Sequence, residues 1–92
     1  MTMEIKLVKR GKTLSARTLA DKIFSEYKGT EKLIIDFAGV EEATPSFCHE
    51  MFTILLGNKK TDLKIINTKP SIKTQLNKAL SAISFGSKKA SI

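Results

Sequence analysis

The sequence predicts a small α/β domain, a single-layer sheet with at least partly parallel strands and helices packed on it. Three short apolar stretches alternate with three stretches of helical periodicity, in the order β-α-β-α-β-α. Because strands that alternate with helices connect through right-handed crossovers, this order favours parallel pairing. The 92 residues are enough for one domain with a modest core.

The N-terminal third predicts one strand and one amphipathic helix. Residues 3–9 alternate between apolar and polar side chains, as in a strand with one wetter face. A turn at residues 10–12 follows, and Thr13 or Ser15 is placed to cap the next helix. The apolar stripe of this helix comprises Ala16, Leu19, Ala20, Ile23, Phe24 and Tyr27. Gly29 is predicted to end it.

The central part predicts a buried strand, a short acidic loop and an apolar helix. The strand covers residues 32–37, because Leu33-Ile34-Ile35 is a continuous apolar run. The helix covers residues 45–56, with Thr44 as its cap and Pro45 at its first position. Its apolar side chains occupy most of its circumference and predict burial: Phe47, Cys48, Met51, Phe52, Leu55 and Leu56.

The C-terminal third predicts a strand at residues 63–66 and a helix that begins at Lys69-Pro70-Ser71. The inward face of this helix comprises Ile72, Leu76, Ala79, Leu80 and Ile83. Because Ser, Gly and Lys then dominate, we expect a domain over residues 1–83 and a flexible tail over residues 84–92. The two later strands should be central in the sheet, with the first strand nearer an edge.

The chain is basic overall but acidic in its centre. The formal net charge is +7, yet residues 33–58 contain four acidic side chains and no Lys or Arg. Uniform nucleic-acid binders seldom have such a centre, so we interpret the basic residues as a solvated face. The alternative is a lysine stripe in the C-terminal third that binds phosphate ligands or nucleic acid: Lys59, Lys60, Lys64, Lys69, Lys73 and Lys78.

We expect a cytoplasmic protein without a cofactor and without membrane contact. No apolar run is long enough to span a bilayer, and the N-terminus lacks an apolar signal region. The single cysteine, Cys48, cannot form an intramolecular disulfide and is predicted to pack in the core. Gly11-Lys12-Thr13 imitates the end of a phosphate-binding loop, but Lys6 stands where that loop needs a glycine. A turn and a helix cap is the better interpretation.

His49 is interpreted as a surface residue at the rim of the second helix. Adjacent helical residues point about 100° apart, so His49 and Cys48 do not suit a base and its nucleophile. A zinc site would need more Cys or His ligands than the chain contains, so no metal is predicted.

Asp36 follows the second strand, at the end where open α/β sheets place functional groups. With Glu41, Glu42 and Thr44 it is weakly similar to a phosphoacceptor aspartate with a metal site. The favoured interpretation is structural, with Asp36 accepting backbone hydrogen bonds and bracing the loop.

Ser46 is the candidate for regulation by phosphorylation. It falls in the first turn of the second helix, near unpaired backbone N–H groups and the positive end of the helix dipole. This is a favourable place for a phosphate. The alternative is an ordinary first-turn serine. A phosphate would add about −1.5 to −2 charges beside Glu41 and Glu42, which an acidic or apolar partner surface would not tolerate.

The central motif resembles the STAS-like domains of bacteria and archaea, relatives of the anti-sigma-factor antagonist (STAS) domains. The resemblance rests on Asp36-Phe37-x-x-Val40, a Ser/Thr pair and Phe47-x-x-Glu50-x-Phe52, and it extends from about Gly11 to about Leu80. Antagonist domains usually carry Asp-Ser-Ser/Thr-Gly in this loop. The corresponding run here is Thr44-Pro45-Ser46-Phe47, in which Ser46 alone matches the phosphorylated hydroxyl.

This resemblance implies a prokaryotic, non-enzymatic regulatory module, similar to an anti-sigma-factor antagonist, that binds another protein. The implied partner is a regulatory protein, of the ATP-binding anti-sigma or serine-kinase type, that phosphorylates Ser46. The residues expected to bind it lie in the loop and at the start of the second helix: Glu41, Glu42, Thr44, Ser46, His49 and Glu50.

Overall fold

A computed structural model describes residues 2–25, 27, 32–58, 62–83 and 90–92 of the chain. Its strands are β1 (Thr2–Lys6), β2 (Thr13–Leu14), β3 (Lys32–Asp36), β4 (Glu42–Ala43), β5 (Asp62–Ile66) and β6 (Ala90–Ser91). Its α-helices are α1 (Arg17–Phe24), α2 (Pro45–Phe52) and α3 (Pro70–Ala82). The main sheet has the order β1-β3-β5-β6, and β2 pairs with β4 in a second, two-stranded sheet.

The predicted fold class is confirmed. All pairs in the main sheet are parallel, the apolar strands β3 and β5 are central, and β1 lies at an edge. The register aligns Leu33 with Leu63 and Ile35 with Ile65. These four side chains are buried in one core with the helices, so the helices cover that face of the sheet.

The other face of the main sheet carries mostly charged side chains. They alternate with the core-facing positions along the strands and comprise Glu4, Lys6, Lys32, Asp36, Asp62 and Lys64, of which Asp36 is buried. The register places Lys6 beside Asp36 and Lys32 beside Asp62, so opposite charges are neighbours across strands. Parallel sheets are usually covered on both faces, and this alternation of charge makes an exposed face compatible with water.

The second helix, α2, is the centre of the helical layer. It contacts both α1 and α3. Phe47, Cys48, Met51 and Phe52 are fully buried, which confirms the predicted burial of this helix. The Phe47 ring lies 6.2 Å from the Phe24 ring of α1, at an interplanar angle of 56°. This tilted arrangement is favourable for two aromatic rings.

The last turns of the predicted second helix are not α-helical. The α-helix ends at Phe52 and continues as a π-helix over Thr53–Asn58, so the prediction of one α-helix over residues 45–56 is wrong for its final part. The wider π-helical turn includes three consecutive buried side chains, Ile54, Leu55 and Leu56.

The predicted first strand is too long. β1 ends at Lys6, and Leu7–Arg10 form a 3₁₀-helix whose first residue, Leu7, is fully buried. The predicted cap of α1 is also wrong. The cap residue is Ala16, without a side-chain hydrogen bond, because Thr13 belongs to β2.

The C-terminal end of α1 also differs from the prediction. The helix ends at Phe24, and the Tyr27 N–H donates to the Phe24 carbonyl at 3.2 Å, which folds Tyr27 into the core. Gly29, the predicted end of this helix, lies outside the described residues.

The chain end contributes a sixth strand. Ala90 and Ser91 pair in parallel with Leu63 and Lys64 of β5. The prediction of a flexible tail therefore does not fit residues 90–92, while residues 84–89 lie outside the described part. None of the helices in the described ranges has the length and apolar character that crossing a bilayer requires.

Candidate functional site

The start of α2 is fixed by the hydroxyl of Thr44. Its Oγ1 accepts a hydrogen bond from the Phe47 N–H at 3.3 Å and donates one to the Ser15 carbonyl at 2.9 Å. The backbone N–H of Thr44 donates to the Leu14 carbonyl at 2.9 Å. The predicted cap is confirmed, and the same residue ties the helix to the segment that precedes α1.

The acidic loop is held by backbone hydrogen bonds from the β2 region. The Lys12 carbonyl accepts from the N–H groups of Glu41 and Glu42 at 2.8 and 3.2 Å. The side chains of Glu41 and Glu42 are exposed beside the start of α2. Lys12 belongs to the Gly11-Lys12-Thr13 segment that imitates a phosphate-binding loop, and in the structure its carbonyl holds the acidic loop in place.

Asp36 braces the turn after β3, as the structural interpretation predicts. Its Oδ1 accepts from the Ala38 N–H at 2.8 Å and from the Asn67 Nδ2 at 2.9 Å. The Asn67 hydrogen bond, the Ala38 hydrogen bond and the charge of Lys6 together lower the pKa of Asp36. Within the described residues, no three His, Cys, Asp or Glu side chains are grouped to hold a metal ion.

Ser46 is exposed at the second position of α2. Its side chain lines a groove of about 460 Å³ between the helices. We call it the basic groove, because Arg17 of α1 and Lys78 of α3 line it. His49, Gln75 and Ala79 contribute further to its wall. No acidic side chain is among its described lining residues.

A second groove, of about 260 Å³, adjoins the first and has the opposite charge. We call it the acidic groove, because Glu41 and Glu42 line it together with Thr44 and Ser71. Gln75 and Pro45 line both grooves, so these residues mark their boundary. Ser46 lines the basic groove, while Glu41 and Glu42, beside which a phosphate on Ser46 is expected from the sequence, line the adjoining acidic groove.

His49 is half-buried in the wall of the basic groove. Its carbonyl accepts a hydrogen bond from the Thr53 hydroxyl at 2.9 Å. Its Nδ1 is buried and has no hydrogen-bond partner in the described part of the chain. Leaving such an atom unpaired costs about 1–3 kcal/mol, which a hydrogen bond from a bound partner would offset.

Glu50 faces α1 rather than the grooves. A side-chain hydrogen bond with Asp21 raises the pKa of Glu50, and burial and the Asp21 charge raise it further, while Arg17 lowers it. Two carboxyl groups can share a hydrogen bond only when one is protonated. Of the six residues expected to bind a partner, Glu50 alone lines neither groove.

The Cys48 thiol is a core group. Cys48 is fully buried, and this burial raises the pKa of its thiol to about 12. A thiol in that state is a poor nucleophile at neutral pH. The prediction of a structural cysteine is confirmed.

The described lysines of the C-terminal third do not form one stripe. Lys64 lies on the charged face of the sheet, because its neighbours Leu63 and Ile65 point into the core. Lys73 and Lys78 lie on α3, in the layer on the opposite side. The stripe prediction is therefore wrong for Lys64, while Lys69 caps the helix that carries Lys73 and Lys78, and Lys59 and Lys60 lie outside the described ranges.

A family model described as a STAS-like domain of unknown function (DUF4325) matches residues 15–73 of the chain. This span is more than half of the chain and includes α1, the acidic loop and α2, so the chain belongs to this family. The resemblance inferred from the central motif is confirmed. No curated protein and no solved structure matches the chain significantly.

Proposed function

We propose that the chain is a non-enzymatic regulatory module that binds a partner protein through one docking face. The docking face consists of the basic groove, the acidic groove and the start of α2 between them. The observation that carries the proposal is the exposed Ser46 hydroxyl on a capped helix, flanked by grooves of opposite charge. Opposite charges side by side give a surface that fixes both the identity and the orientation of a partner.

The positions of the reactive side chains support a binding role over catalysis. The Cys48 thiol is buried with a raised pKa, and Asp36 is committed to two hydrogen bonds. His49 and Ser46 line the same groove as Arg17 and Lys78, which is a charged surface suited to recognition.

Ser46 is the proposed regulatory switch on this face. The γ-phosphoryl group passes from ATP to the Ser46 Oγ, the hydroxyl proton is released and ADP leaves. The phosphate adds about −1.5 to −2 charges at the first turn of α2, where the helix dipole accommodates it. Binding therefore changes while the fold is retained. The proposed partner is a cytoplasmic ATP-binding regulatory protein of the anti-sigma or serine-kinase type.

Affinity capture with matched baits tests this function. The baits are the wild type, Ser46→Asp and Thr18→Asp, which adds the same charge at the second position of α1, outside both grooves. We expect the wild type and Thr18→Asp to retain a common ATP-binding partner that Ser46→Asp loses, with all three baits folded by thermal melting. Equal retention by the three folded baits would show that Ser46 is not a switch.

A further inference from the structure

The cations of the basic groove come from separate parts of the fold. Arg17 is the first residue of α1, and Lys78 lies in the second half of α3. Packing of α1 and α3 on either side of α2 brings both residues to the groove that Ser46 opens. No acidic side chain is among the described lining residues, but Arg17 also interacts electrostatically with Glu50, which lies outside the lining.

The groove of about 460 Å³ also has small and polar lining residues. Ala79 and Ala82 contribute short apolar side chains, and Gln75 offers an amide at the boundary. Such a groove admits an extended peptide whose side chains reach Arg17 and Lys78. The planar Arg17 guanidinium suits a carboxylate bound through two hydrogen bonds, and Lys78 suits a single charged contact.

We infer that the partner places an acidic, carboxylate-rich segment in the basic groove, an inference that rests on the proposed function. Charge complementarity selects this occupant, since a basic or purely apolar segment would desolvate Lys78, which has no acidic neighbour in the lining, and would leave Arg17 with Glu50 alone as a counter-charge. The inference also gives the switch a local cause. A phosphate on Ser46 enters the same groove, pairs with Arg17 and Lys78, and displaces the acidic segment of the partner.

A peptide-binding measurement tests the inference without the partner. The probe is a short fluorescein-labelled peptide of alternating Glu and Ala, and binding is followed by fluorescence anisotropy. The test variant is Arg17→Gln with Lys78→Gln. The control is Lys22→Gln with Lys73→Gln, which removes the same charge from exposed positions of the same two helices, outside the groove lining.

We expect the affinity for the acidic peptide to fall about fivefold or more in the groove variant and about twofold or less in the control. Ser46→Asp should lower the affinity for the acidic peptide as the groove variant does. A peptide of alternating Lys and Ala should not bind. Equal losses in the groove variant and the control would overturn the inference, as would failure of the wild type to bind the acidic peptide at low salt.

The two proposals can fail separately. If partner capture depends on Ser46 while the affinity for the acidic peptide does not depend on Arg17 and Lys78, the acidic-segment inference is wrong and the docking function stands. If the peptide depends on both cations while Ser46→Asp captures the same partners as wild type, the groove assignment stands and the switch is wrong.

Discussion

Thr44 and Ser46 lie two residues apart and act differently. The Thr44 hydroxyl makes two hydrogen bonds within the domain. It accepts one from the Phe47 N–H as the cap of α2, and it donates one to the Ser15 carbonyl. The Ser46 side chain is exposed in the basic groove. Stability should therefore depend on Thr44, and recognition should depend on Ser46.

Removal of the Thr44 hydroxyl should destabilise the domain. We expect Thr44→Ala to lower the free energy of unfolding by about 0.5–2 kcal/mol through the lost cap. Thr44→Ser keeps the hydroxyl and should lower the free energy of unfolding by less. Ser46→Ala should have a free energy of unfolding close to that of the wild type. Urea unfolding of the three variants measures these differences, and equal stability of Thr44→Ala and wild type would contradict the assigned role.

The Asp21–Glu50 pair should make stability depend on pH. Because the folded state raises the pKa of Glu50 above its ordinary value of 4.5, the folded protein binds the proton more tightly than the unfolded chain. The contribution of Glu50 to stability is therefore present below pH 4.5 and is lost as pH rises through the folded pKa.

Replacement of Glu50 by Gln tests this sign. We expect Glu50→Gln to melt at a higher temperature than wild type at pH 7, with the difference shrinking toward pH 4. Glu41→Gln removes the same charge away from Asp21 and serves as the control. A difference independent of pH, or a lower melting temperature for Glu50→Gln at pH 7, would show that the two carboxyl groups are not coupled.

At the scale of elements, α2 supports both the core and the docking face. Its inner side is fully buried between α1 and α3, while its first turn carries the exposed Ser46. A rigid helix positions that side chain, so the proposed site depends on the packing beneath it.

Truncation of the α2 core should therefore be costly. Met51 is fully buried, whereas Met3 is 45% exposed, so the same substitution at both positions isolates the effect of burial. We expect Met51→Ala to lower the free energy of unfolding by about 2–5 kcal/mol, a large share of the total for a small domain. Met3→Ala should change it by about 0.5 kcal/mol or less, as exposed substitutions do. Similar losses would contradict the assigned core.

The long elements could be predicted from sequence, because their periodicity is local. The alternation that predicts β1 and the stripe of α1 follow from side chains a few positions apart, although β1 ends at Lys6 and not at residue 9. The pairing of β2 with β4 could not be predicted, because each strand has two residues and no periodicity. Their contact depends on the tertiary fold, as does the Thr44 hydrogen bond to Ser15, 29 residues away.

At the scale of the molecule, the site could be predicted only in part. Thr44, Ser46, Glu41 and Glu42 are close in sequence, so one motif indicates them all. Arg17, Gln75 and Lys78 reach the grooves only through helix packing, and nothing in the sequence near them marks that position. The positive charges of Arg17 and Lys78 in the groove that Ser46 lines could therefore not be predicted.

The whole molecule has two different charged surfaces. One is the proposed docking face at the helices, and the other is the charged face of the sheet. The sheet face pairs Lys32 with Asp62 and Lys6 with Asp36 across strands, so its charges are balanced internally. Each groove instead has charged lining residues of one sign, which is our reason for proposing the helical side as the binding surface.

Site-specific photocrosslinking tests the central claim most directly. A diazirine-bearing residue replaces Gln75, which lines both grooves, or Lys64, which lies on the charged sheet face. The account predicts that the captured partner crosslinks through position 75, that Ser46→Asp abolishes this crosslink, and that position 64 gives none. Crosslinking through position 64 alone, or a crosslink at position 75 that Ser46→Asp leaves undiminished, would contradict it.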